Sequence, residues 1–278
     1  MNLRTLEGTP PWEWPQEAHQ ILLRYLNDQQ AGEKDRCLAA ALAGDYVVIN
    51  DSLASKLLAI AHDGSESESM RGNAAISLGT ALEHADTMGF DDADDILISE
   101  ELYQRIQATL QSIFQDDKVP DAVRRRILEA SVRAPQKWHA EAIRQAWAEE
   151  NLNWKITASF CMRFVHGFDE QILAGLQSPE AEVRFQALCA AGNWEVDGAW
   201  PFIRDLVTSE DTEKEMLLAA IEAAAQIHPQ EAVVLLDDFL DDDDEEISEA
   251  AFEALTLAGM IDTLDNDEDV EDEDKSLD

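Results

Sequence analysis

The sequence predicts an all-α solenoid of about seven stacked antiparallel helix pairs. Three observations predict it: a five-position apolar stripe at helical spacing, its recurrence about every thirty residues, and an alanine at one fixed place within it. The stripe is clearest in the stretch 182–192, EVRFQALCAAG. With Val183 as position zero, offsets of four, seven, eight and eleven give Val183, Ala187, Ala190, Ala191 and Trp194, one face of a helix. The same offsets give Met216, Ala220, Ala223, Ala224, Ile227 and then Ile247, Ala251, Ala254, Leu255, Ala258. Upstream they give Trp154, Ala158, Cys161, Met162, Val165 and, before that, Val123, Ile127, Ala130, Ser131, Ala134. Two earlier copies start at Met70 and, most weakly, at Asp35. Of the 35 positions 32 are hydrophobic, where the chain average of 45% gives about 16.

Offset four is alanine in six of the seven copies, which suits a close crossing where a longer side chain overpacks. The copies lie 35, 53, 31, 29, 33 and 31 residues apart. A helical period near thirty means helix pairs that bury their faces only by stacking on neighbours. The run Val183-Arg184-Phe185-Gln186-Ala187, ending at Gly192, resembles the second helix of a HEAT repeat, in the short bacterial form of phycobilisome-lyase-like proteins. That resemblance implies a helix A, a turn and a helix B per repeat, and a right-handed superhelix. It also implies a basic residue after position zero: Arg36, Arg71, Arg124, Lys155 and Arg184 fit, while Leu217 and Ser248 depart. It covers residues 15–262 and implies little about function, because such arrays serve unrelated tasks.

Taken in order, residues 1–14 hold Pro10, Pro11, Trp12 and Trp14 and are expected to form an extended cap, its tryptophans plugging the open end of the stack. Pro15 suits a helix start, with helix A near 16–26 and helix B after Gly32. The second pair is expected near 52–61 and through Met70 to Gly79. The one long spacing reads as an insertion at 84–98, a loop carrying Asp91, Asp92, Asp94 and Asp95. Those carboxylates are a candidate partner-binding or cation site, although the glycine and closing glutamate of a calcium loop are missing.

The third and fourth repeats reverse the charge: residues 118–163 hold nine basic against five acidic side chains, together with Trp138, Trp147 and Trp154. Arg125, Arg126, Arg133, Lys137 and Arg144 are therefore candidate partner-binding residues, with pairing to neighbouring carboxylates as the competing reading. Pro201 is expected to bend the sixth helix A. The run 241–246 should open the last helix B, where acids favour the helix dipole. Residues 263–278 are expected to be an acidic disordered tail.

With 59 acidic and 20 basic residues, a net charge of -39, the chain repels nucleic-acid backbones and anionic membranes and attracts basic proteins. The three cysteines show no zinc or disulfide spacing. No HExxH, GxSxG, GxxxxGK[ST] or GxGxxG motif occurs and the six histidines are scattered, so no catalytic residue, metal or cofactor is expected. No apolar run is long enough for a membrane span, and the first residues lack a signal-peptide core. The expectation is a cytoplasmic, monomeric, non-catalytic scaffold for a basic protein. The alternatives are a nucleic-acid mimic and, through the resemblance, a phycobilisome-lyase-like enzyme acting on a bound ligand.

Overall fold

The structure is a computed structural model and describes residues 2–259; the expected tail at 263–278 lies outside the described residues. Those residues are helical, with no strand among them. Two compact units divide the chain, one up to Ala190 and one from Ala191 onward. The first contains α1 (Leu3–Glu7), α2 (Ala18–Asn27), α3 (Glu33–Leu42), α4 (Asp51–His62), α5 (Glu68–Ile76), α6 (Gly79–Met88), α7 (Glu100–Gln115), α8 (Asp121–Ser131), α9 (His139–Ala148), α10 (Leu152–Cys161), α11 (Asp169–Leu176) and most of α12 (Ala181–Asn193). The second contains α13 (Trp200–Thr208), α14 (Lys214–Ile227), α15 (Pro229–Leu236) and α16 (Glu245–Leu257).

Seven of these, α3, α5, α8, α10, α12, α14 and α16, are the expected B helices, and in each the position-zero residue is the third helical residue. The offset-four residues, Ala39, Ala74, Ile127, Ala158, Ala187, Ala220 and Ala251, are all at most 1% exposed. The close crossing is evident at Ala187: a Cβ built on Gly175 of α11 would stand 2.8 Å from the Ala187 Cβ. Within the first unit α3 packs on α5, α5 on α8 and α8 on α10, and within the second α14 packs on α16.

A second contact repeats along the stack. Gly44, Gly79 and Gly192 each fall nine residues after position zero, and each faces the offset-seven residue of the next copy, Ser77, Ala130 and Ala223. At Gly44 the approach is tightest, since an added Cβ would lie 2.7 Å from the Ser77 Cα. The basic ladder is equally regular. Arg71 Nε donates to the Ala61 carbonyl at 3.0 Å, Arg124 Nε to Phe114 at 2.9 Å, and Arg184 to Ser178 and Pro179 at 2.8 and 2.9 Å. Each arginine thus satisfies carbonyls at or after the end of the preceding A helix, where a cation also meets the negative end of the dipole. Arg36 instead grips Glu66 through two hydrogen bonds of 2.8 and 2.6 Å and holds that carboxyl below its usual range.

Several expectations need correction. The first fourteen residues are not extended: α1 forms because Asn2 caps it, its side chain accepting the Thr5 N–H, and because Leu3 and Leu6 are buried. A single 3-10 turn follows at Pro11–Glu13. Trp14 closes this segment by donating from its indole to the Leu6 and Thr9 carbonyls at 3.0 and 2.8 Å, whereas Trp12 is 79% exposed and plugs nothing. The second B helix breaks at Ser77 and Leu78, and the insertion is helical as far as Met88, leaving a loop only from Gly89, whose φ of 70° suits glycine. Pro201 bends nothing, because it lies in the first turn of α13, where its missing N–H is not needed. The acidic run does open the last helix: Asp244 caps α16, accepting the Glu246 N–H.

Candidate partner-binding clefts

The arginines of residues 118–163 are engaged within the fold. Arg126 binds Glu129 at 2.7 Å, and Glu129, though buried, also accepts the Thr157 hydroxyl at 2.5 Å, so both of its oxygens are satisfied. Arg133 pairs with Glu83 of α6 and lies over the rings of Phe160 and Phe164 at 5.6 and 5.3 Å. Arg144 pairs with Glu141 at 3.4 Å and lies over Phe168 at 5.7 Å. Arg125 donates to the Asn153 carbonyl at 3.3 Å, and Lys137 is exposed in the turn before α9. The four arginines are thus tied to different neighbours. Of the tryptophans, Trp154 is buried, and Trp138 packs against His139 with ring centroids 3.9 Å apart and the planes tilted by 38°.

Asp91, Asp92, Asp94 and Asp95 lie in the loop between α6 and α7, with the first three exposed. The Asp92 carboxylate accepts the Asp94 N–H at 3.0 Å, a local turn. Beside the loop, Tyr103 of α7 donates to Asp86 of α6 at 2.9 Å and packs on Phe90; burial, and then this bond, raise its hydroxyl pKa. Among the described residues no group of three or more His, Cys, Asp or Glu is placed to hold a metal ion.

Two buried titratable groups also answer to structure. His139 at the start of α9 accepts the Gln136 N–H on Nδ1 at 2.8 Å, so its proton sits on Nε2, 3.0 Å from the Ser131 hydroxyl. Burial pushes its pKa down to about 4 and keeps it neutral near pH 7. Cys161 is buried, and burial, reinforced by the charge of Glu129, pushes its thiol well up, away from nucleophilic reactivity.

The sequence reading missed two clefts that occupy equivalent places in the repeat. In the first unit the ends of α3 and α5 and the residue two past α8 line a space of about 530 Å³, through Leu42, Gly44, Ile76 and Arg133. Leu6 and Trp14, from α1 and the turn after it, form its remaining wall. In the second unit the ends of α12, α14 and α16 line about 350 Å³ through Gly192, Glu195, Glu222, Gln226 and Leu257. The glycine at offset nine was the one signal of these clefts in the sequence, since it marks where one B helix ends close against the next.

Residues 170–256 match the family model described as HEAT repeats. No curated protein sequence matches the chain. Among solved structures it is similar to the Escherichia coli protein YibA, with 18% identity, a TM-score of 0.48, and coverage of 91% of this chain and 85% of that one. It is similar to human deoxyhypusine hydroxylase in complex with glycerol, with 16% identity, a TM-score of 0.40, and coverage of 93% and 89%. It is also similar to a designed armadillo repeat protein, with 16% identity, a TM-score of 0.33, and coverage of 87% and 100%. The stretch from α11 to α16 therefore consists of HEAT repeats, as the residues around Val183 indicated.

Proposed function

We propose that this HEAT-repeat chain is a non-catalytic protein-interaction scaffold whose acidic surface takes up a basic protein or segment. The observation that carries this reading is the fate of the arginines. Arg126, Arg133 and Arg144, the cations that could have made a positive site, lie on carboxylates of their own chain. What remains for a partner to meet is the excess of 59 acidic over 20 basic residues. Such a field speeds encounter with a basic partner and disfavours nucleic acid. Among the described residues no helix is long and apolar enough to cross a membrane. The reading includes action as a monomer in the cytoplasm.

The test is affinity capture from lysate at low and high salt. Screening shortens from about 10 Å at 0.1 M to about 3 Å at 1 M, so the partners held at low salt should be basic proteins and should be released as salt rises. A partner set indifferent to salt, or one without basic proteins, contradicts the reading.

A further inference from the structure

The second cleft differs from an ordinary acidic patch in its walls and in its place on the helices. Three helices, α12, α14 and α16, end around it, and a helix C-terminus carries unsatisfied carbonyls and about half a negative charge. Glu195 and Glu222 add two carboxylates, while no lysine, arginine or histidine lines the space. Glu222 accepts a hydrogen bond from Gln226 at 3.3 Å, and the Glu195 side chain is exposed with no ion pair among the described residues. Ala225, Pro229, Ala254 and Leu257 give the same space an apolar lining, the last of them 89% exposed. A lysine or arginine has this double character, an alkyl stem that packs on apolar surface and a charged head that seeks carboxylates.

Glu195 reinforces the case. Its φ is 50°, the left-handed region where glycine is usual, and the Val196 N–H bonds back to the Ala191 carbonyl at 2.9 Å, as in a helix ending that favours glycine. Folding alone would be better served by glycine there. The first cleft supplies the internal comparison: at the equivalent ends of α3, α5 and α8 the chain places a cation of its own, Arg133, in a lining that also holds Asp45 and Glu7, the latter paired with Arg4. Among the described residues from Ala191 onward there are 19 acids and only Arg204 and Lys214 as bases, and Lys214 is held by Asp244 and Glu246 at 2.8 and 2.6 Å.

We propose that the cleft between the ends of α12, α14 and α16 receives a lysine or arginine side chain from a basic segment of the partner protein, with Glu195 and Glu222 binding its head and Leu257 and Ala225 its stem. This rests on the acidic-scaffold reading and names the place on the scaffold where the partner is recognised.

The experiment is a fluorescence anisotropy titration of the full chain with a short labelled lysine–serine peptide, its arginine counterpart and its glutamine counterpart. Glu195→Gln with Glu222→Gln should weaken the lysine and arginine peptides about tenfold. Asp205→Asn with Glu210→Gln removes the same charge from exposed positions outside the cleft and should change affinity less than about twofold, since exposed charges act weakly at a distance. Glu195→Gly should weaken binding while raising the midpoint of thermal unfolding, so that lost binding cannot be ascribed to lost folding. If wild type binds the basic peptides and the two double variants behave alike, the cleft is overturned and the acidic scaffold survives. If wild type binds none of them, or binds the glutamine peptide equally well, the scaffold reading falls with it.

Discussion

The two clefts are built on one plan, and both are lined by two acids, but only the first is also lined by a cation of the chain. Each lies where B helices end, and each has a glycine nine residues past position zero at its first helix end, Gly44 in one and Gly192 in the other. In the first, the negative helix ends meet Arg133, held by Glu83 and two phenylalanine rings, and α1 forms an added wall. In the second they meet Glu195 and Glu222. The repeated frame therefore fixes where the helix ends gather, and residues outside the apolar stripe, Arg133 in one cleft and Glu195 and Glu222 in the other, decide whether the chain supplies a cation there.

The largest expected effect separates the units by pH. The only fully buried histidine among the described residues, His139, belongs to the first. Its pKa falls from 6.5 to about 4 on folding, so between those values the unfolded chain binds more protons. The stability it confers is complete above pH 6.5 and is lost as pH falls towards 4, about 3 kcal/mol in all. Hydrogen exchange across that range should show α9 and α10 loosening before α14, and His139→Gln should flatten the slope. Equal loosening in both units would break the contrast.

The next effect concerns the glycines. Gly44→Ala drives a Cβ to 2.7 Å from the Ser77 backbone, which cannot move cheaply, and should cost about 2–3 kcal/mol in urea unfolding. Gly192→Ala meets the Ala223 Cα and Cβ at 3.1 Å and the flexible end of Gln226, and should cost less than about 1 kcal/mol, because helix propensity offsets part of the strain. A reversed order would show that the two junctions are not packed as described.

Arg133→Ala should cost about 1–2 kcal/mol, from lost packing on Phe160 and Phe164 and the release of Glu83, with Arg133→Lys recovering part of it. It should also let the first cleft take the lysine–serine peptide, which wild type excludes there. A gain is expected at Glu195→Gly, about 1 kcal/mol from relief of the left-handed backbone.

The repeat frame was legible in the sequence because it is periodic and local: position zero marks the third residue of all seven B helices. The departures were less so. The helix α1 depends on a cap at Asn2 and on burial of Leu3 and Leu6 by the rest of the fold, which the prolines after it obscured. The aspartates at 91–95 suggested a loop, and the helical residues 84–88 just before them were absorbed into it. The basic segment looked like a site because composition counts charges without their partners; Glu83, the partner of Arg133, lies fifty residues earlier. Glu195 and Glu222 are 27 residues apart, belong to no motif, and line one cleft only because the fold brings α12 and α14 together there.

The most direct test of the contrast is hydrogen exchange of the full chain with and without the lysine–serine peptide. Protection should appear at the ends of α12, α14 and α16 and be absent at the ends of α3, α5 and α8. Protection at the first cleft, or equal protection at both, would contradict the account.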